Sequence, residues 1–202
     1  THYICCLIII KTKTIMKKLL LTAAAVFALT TVNAQDITFG VKAGINFANT
    51  NVSDSDENLE GITSFHFGGV VEFSVSETFS IQPELLYSAQ GTSDSEFKLN
   101  LDYINLPIMA KYYVTEGLSL EAGPQIGFLI KAEAGTDDVS VDVKDDFKSI
   151  DFGFNFGTGY KLESGLNFAA RYNLGLSDIS DDNESNIKVK NSVFQLSVGY
   201  TF

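Results

Sequence analysis

Six charged side chains stand inside segments that otherwise alternate apolar and small polar residues: Lys42, Glu72, Glu84, Lys111, Glu121 and Arg171. Three acids and three bases at similar depth suit an interior ion-pair network, because charges withdrawn from water persist only when paired and hydrogen-bonded. Counting along antiparallel neighbours sets Lys42 beside Glu72 and Lys111 between Glu84 and Glu121, with Arg171 slightly higher. A transport pathway or proton relay would use the same residue types. His66 is the one histidine after residue 34. With Ser64 or Ser88 and a carboxylate it could build a hydrolytic triad, but triads are recognised by geometry and no spacing here fixes one. A polar wall residue is the plainer reading. The acid clusters Asp54-Ser55-Asp56-Glu57, Asp137-Asp138, Asp145-Asp146 and Asp181-Asp182-Asn183-Glu184 offer oxygens of the kind Ca²⁺ takes. None has EF-hand spacing, so they read as solvated loops. No Walker loop, HExxH, CxxC or GxSxG occurs, and no catalytic, metal or cofactor site is expected.

The elements that carry these residues are strands. Period-2 alternation recurs in eight segments, at about 38–48, 63–75, 78–89, 101–114, 118–132, 150–162, 165–176 and 192–202, with no sustained 3.6-residue pattern. Each reaches the ~10 residues that a tilted strand needs to cross a bilayer. Short connections near Ser76-Glu77, Thr115-Glu116-Gly117 and Glu163-Ser164 alternate with long ones at about 49–62, 90–100, 133–149 and 177–191. Short turns on one rim and long acidic loops on the other give the plan of an all-β, eight-stranded antiparallel up-and-down transmembrane barrel.

Composition agrees. In 202 residues, hydrophobic side chains are 45% and charged ones 19%, with 16 Gly and 16 Phe, which is too apolar for disorder and too rich in Gly and aromatics for a helical bundle. A net charge of −11 argues against nucleic acid as a partner. Residues 16–34, MKKLLLTAAAVFALTTVNA, read as a cleaved signal peptide, and 1–15 as an upstream or misassigned-start extension. Both cysteines, Cys5 and Cys6, fall in that extension, so residues 35–202 form a barrel domain without thiols.

Which face points outward decides between a membrane barrel and a soluble one. The polar face, with the charged residues above plus Lys131, Asp151 and Lys161, matches the narrow interior of an eight-stranded barrel. The opposite face carries Phe39, Phe47, Phe65, Phe67, Phe73, Phe152, Phe154, Phe156 and Phe168, too bulky for a small cavity but suited to lipid. Pro83, Pro107 and Pro124 interrupt strands that have no free edge, and bulges are expected there.

Three motifs in order, Ile81-Gln-Pro-Glu-Leu-Leu-Tyr-Ser88, Tyr103-Ile-Asn-Leu-Pro-Ile-Met-Ala-Lys-Tyr-Tyr113 and Ala122-Gly-Pro-Gln-Ile-Gly127, make residues 35–202 resemble the PorT-like outer-membrane β-barrel domain family. The resemblance implies an integral outer-membrane protein and no reaction. The last strand, with Phe194, Leu196, Val198, Tyr200 and Phe202, resembles the carboxy-terminal signal read by the outer-membrane assembly machinery. The expectation is a monomeric, non-enzymatic barrel with a filled lumen, in contact with outer-membrane lipid and lipopolysaccharide. Its acidic loops would serve envelope integrity or surface contact with a partner the sequence does not name, or bridge loosely to lipopolysaccharide through divalent cations. The alternatives are a small pore or uptake channel and, behind it, a lipid-modifying barrel enzyme.

Overall fold

The computed structural model describes residues 37–52, 60–93, 98–136, 139–180 and 189–202. The expected extension and leader (1–34) and the acid clusters at 54–57, 137–138 and 181–184 lie outside the described residues.

Nine strands follow one another: β1 (Ile37–Val52), β2 (Glu60–Ser76), β3 (Phe79–Ser93), β4 (Lys98–Tyr113), β5 (Leu118–Gly135), β6 (Ser140–Asp142), β7 (Ile150–Lys161), β8 (Leu166–Gly175) and β9 (Val189–Thr201). Eight of them close a barrel. They run β4-β3-β2-β1-β9-β8-β7-β5, every pair antiparallel, and a β4–β5 ladder joins the two ends of that row. Closure gives each strand two partners, which is what backbone N–H and C=O groups need where no water is available. β6 is an addition that pairs with β5.

The alternation of residue types becomes an alternation of faces. Phe39, Phe67 and Phe156 are 58%, 52% and 49% exposed on the outer surface, whereas Asn46, His66, Glu84 and Arg171 are buried within. Aromatic side chains meet across strands on the outside, as in the Phe65–Phe67–Tyr87 group, with ring centroids 5.3 to 6.3 Å apart. The short turns are tight hairpins. Val114 N–H donates to Leu118 O, and Leu162 N–H to Leu166 O. Each closes three residues ending in Gly117 or Gly165, at φ 88° and 89°, a conformation in which a Cβ would crowd the following carbonyl.

Strands run past their expected outer ends. β1 to β5 have 16, 17, 15, 16 and 18 residues against 12, 10 and 13 for β7, β8 and β9. Crossing a bilayer takes about 9–11. The surplus rises as a collar on the β1–β5 side, built from residues assigned above to long loops. Main-chain pairing continues there although the apolar alternation stops, as at Lys131 and Glu133.

Bulges occur, but not at the prolines. Pro83 faces Ile108, Pro107 faces Gln125 and Pro124 faces Phe154 in an unshifted register. Ladder pairings are missing beside them, for instance between Pro107–Gln125 and Ala110–Ala122, yet the offset between strands is the same on both sides of the gap. A proline withholds one donor, and the wall gives up that bond without inserting a residue. The register shifts instead between Gly61 and His66, between Ser74 and Ser76, and at Ile130, opposite Asp102 and Tyr103. The last has a consequence for charge. It turns Lys131, expected on the interior face, to the exposed side, where its amine pairs with Glu133 at 2.9 Å.

Candidate functional site

The interior is layered along the barrel axis. On the short-turn side a vestibule of about 1380 Å³ opens between the turns, with Glu72, Tyr113 and Lys161 among its lining residues. Beyond it lies the charged layer. Arg171, from β8, spreads its guanidinium across the lumen: Nη1 reaches Glu84 Oε1 on β3 at 2.8 Å, while Nη2 and Nε reach Glu121 Oε2 on β5 at 2.6 and 2.7 Å. The planar fork of arginine suits two carboxylates at once, which an ammonium cannot span with the same geometry. Lys42 pairs with Glu84 at 3.0 Å. Lys111 lies 3.4 Å from Glu72 and 3.7 Å from Glu121, and donates to Gln82 at 3.0 Å. Ser80 and Tyr113 donate to Glu72, Gln82 to Glu84 and Ser119 to Glu121.

All six expected residues therefore share one layer, three acids balanced by three bases. The pairing differs in two linked respects: Glu84 and Glu72 exchange cations, so Lys111 lies between Glu72 and Glu121 rather than, as expected, between Glu84 and Glu121. Lys42 reaches Glu84 rather than Glu72, because the β1–β2 register sets Lys42 opposite Gly68 and Glu72 opposite Thr38. Glu72 lies nearer the short-turn rim, where Lys161 approaches it at 3.9 Å. The cavity left among Lys42, Glu72, Lys111, Glu121 and Arg171 is about 20 Å³, room for roughly one water.

Next comes a neutral polar layer. His66 Nδ1 is 2.8 Å from Asn46 Oδ1, and its Nε2 is 2.9 Å from Ser197 Oγ. Asn46 Oδ1 also accepts from Gln195, which assigns the imidazole proton to Nδ1 and leaves Nε2 to accept from the Ser197 hydroxyl. The hydroxyl, imidazole and carboxamide stand in line as a relay would. Neither Ser64 nor Ser88 is the partner: Ser64 donates to Ala89 O, and Ser88 accepts from Asn46 and Gln90. Ser197, missed by the sequence reading, comes from the last strand, and only barrel closure brings it to β2. Its place on the polar alternation of β9 is the one signal it carried. Ser197 is 6% exposed and points into the barrel, away from the lipid face on which an acyl chain would arrive.

Toward the long loops the interior is divided: Gln90 and Asn191 are buried and joined by a hydrogen bond on one side, and the β4–β5 side is apolar. Leu101, Tyr103, Leu129, Ala132 and Ile179 form a buried cluster, with Val143 and Phe147 packed on it. Ile179 sits there because the segment before it is tied down: Ser177 Oγ donates to Asp151 at 2.6 Å and accepts from Phe152 N–H, Lys148 N–H donates to Ile179 O, and Ile179 N–H donates to Val189 O. Asp178 accepts from the Val189 and Ser180 amides and pairs with Lys148 at 3.4 Å. The backbone N–H of Val189, above all, holds its carboxyl below the ordinary carboxylate range. Asp145 and Asp146 sit exposed on a 3-10 turn, and no group of three or more metal-ligating side chains occurs among the described residues.

With a closed wall, an apolar outer face and a charged interior in place, sequence comparison decides the family. The profile described as Outer membrane protein beta-barrel domain matches residues 33–181. The chain belongs to that family. As an outer-membrane β-barrel it shares its fold with solved structures of low sequence identity. Neisserial surface protein A matches with a TM-score of 0.59 and 13% identity, covering 83% of this chain and 99% of that one. Ail, the attachment invasion locus protein of Yersinia pestis, matches with a TM-score of 0.51 and 14% identity over 82% and 98% of the two chains. No curated protein matches by sequence.

Proposed function

We propose that this outer-membrane barrel is a non-enzymatic envelope protein of the PorT-like type, closed to solute flow and presenting acidic loops, with the collar beneath them, on the cell's outer side. The observation that carries the reading is the Arg171 fork, which crosses the lumen to Glu84 and Glu121 while Lys42 and Lys111 complete the layer. Carboxylates paired in this way, with a space of about 20 Å³ left among them, support a lumen blocked at that level, and the apolar cluster around Ile179 covers part of the opposite end. The leader at 16–34 directs export, and the carboxy-terminal residues Phe194, Leu196, Val198, Tyr200 and Phe202 serve as the assembly signal. The barrel acts as a monomer in contact with lipopolysaccharide, supporting envelope integrity or surface contact through those loops.

Planar-bilayer recording of the purified protein tests the closure: no steady conductance is expected, and a stable open level would overturn it. A second reading, a small uptake pore, draws on the vestibule at the short-turn rim, and the same recording separates the two. For the lipid-modifying alternative, His66→Ala in cells assayed for lipid A acylation is expected to change nothing. A changed acylation pattern would restore the Ser197–His66–Asn46 line to a chemical role.

A further inference from the structure

We propose that the free edge of β6 is a docking site for an extended basic segment of a partner protein. The inference rests on the reading that the collar stands on the outer side of the membrane, and it names the kind of partner the collar takes.

β6 pairs with β5 through Glu133–Asp142, Ala134–Val141 and Gly135–Ser140, and among the described residues no strand lies along its other edge. The main-chain groups on that edge can be assigned. Thr136 N–H donates to Val139 O at 2.9 Å and Val143 N–H to Ala132 O at 3.1 Å, so residues 139 and 143 direct their polar groups to β5. Alternation then turns the N–H and C=O of Ser140 and Asp142 the other way, to an edge along which no described strand runs. Natural edge strands are blunted by brevity, charge, proline or a bulge. β6 is short, at three residues, and carries Asp142, but no proline or bulge interrupts it, so a strand added there has to accommodate that carboxylate.

The two faces specify what would add to that edge. Val141 lies opposite Ala134 and shares its side with Val139, and the two valines are 59% and 64% exposed, respectively. Val143, on the same side, is already packed against the Leu101–Ile179 cluster, so the valine row continues an apolar surface. Asp142 is exposed on the opposite side, and exposed Asp145 and Asp146 follow within four residues. A strand laid along β6 would therefore place apolar side chains beside Val139 and Val141, and alternate lysines or arginines beside the carboxylates. Backbone bonds supply attachment and the alternation supplies selectivity, as in other cases of strand addition.

The test uses the full chain in lipid nanodiscs and a fluorescent decapeptide of alternating valine and lysine, with an alternating valine and glutamate decapeptide as its counterpart. The basic peptide is expected to bind and the acidic one not. Ser140→Pro removes an outward N–H without touching the β5 ladder, and is expected to weaken binding about tenfold, the loss of one or two hydrogen bonds, while the folded barrel keeps its heat-modifiable gel shift. Equal binding of both peptides, binding unaffected by Ser140→Pro, or a concentration-dependent dimer that Ser140→Pro dissolves would each overturn the proposal, the last by assigning the edge to a second copy. Val141→Cys, labelled in whole cells with a membrane-impermeant maleimide, separates the two readings. Absent labelling would sink the outward collar itself, whereas labelling without peptide binding would sink only the docking site.

Discussion

Arg171 shows most directly what a single side chain does in this barrel. Removing it leaves Glu84 and Glu121 buried with one fewer cation each, so Arg171→Met is expected to cost about 3–5 kcal/mol, the usual price of an uncompensated buried charge, measured as a lowered denaturant midpoint of the folded barrel. Restoring neutrality should recover much of that loss, and the triple variant Arg171→Met, Glu84→Gln, Glu121→Gln is expected to be more stable than Arg171→Met alone. Tyr103 gives the opposite sign. Its hydroxyl is buried without a partner among the described residues, so Tyr103→Phe is expected to leave stability unchanged or raise it by up to about 1 kcal/mol. The six charged residues were legible in the sequence because each interrupts an apolar alternation. Of their partners, Lys111 with Glu121 was legible because the two face each other on neighbouring strands. The places of Glu72 and Glu84 were not, because pairing across a lumen depends on the stagger between strands, which sets Lys42 opposite Gly68. His66 illustrates the same limit: its partner Ser197 lies 131 residues away in sequence.

At the scale of elements, strands were readable where lipid imposes a pattern and unreadable where it does not. Above the belt β1 to β5 continue by main-chain pairing, and β6 forms inside what looked like a long acidic loop. A single inserted residue at Ile130 reverses the side on which Lys131 points, and nothing in the local sequence marks that insertion. The segment at Ser177–Ser180 is likewise invisible to periodicity, being held by Asp178 rather than by a ladder. Because the Asp178 carboxyl is held below its unfolded value, the stabilisation it gives is complete above that unfolded value and is lost as pH falls through the folded one. Hydrogen exchange at the Val189 and Ser180 amides, corrected for intrinsic chemistry, is therefore expected to quicken toward acid pH. Asp178→Ala should show the faster exchange at neutral pH and no further acid response. Equal protection in the two proteins across the range would remove Asp178 from this role.

At the scale of the molecule, the closed topology needs a low-dielectric surround to account for a surface so rich in phenylalanine. The outward row of β7 runs Ile150, Phe152, Phe154, Phe156, Thr158, Tyr160, with Ile150 toward the long loops and Tyr160 next to the short turn. Depth along this row fixes the cost of a charge: an arginine at the midplane of a barrel's lipid face costs about 2–4 kcal/mol and one near the interface about 0–1. Phe156→Arg is accordingly expected to lower the folding free energy in bilayers by the larger amount, and Tyr160→Arg by the smaller. Both positions are about half exposed, at 49% and 47%, so local burial within the protein predicts no difference between them. A water-facing surface would tolerate both substitutions alike, or gain solubility from them. The measured ratio therefore reports the solvent that the outer face was built for, and equal costs at the two depths would mean that the belt does not sit in lipid.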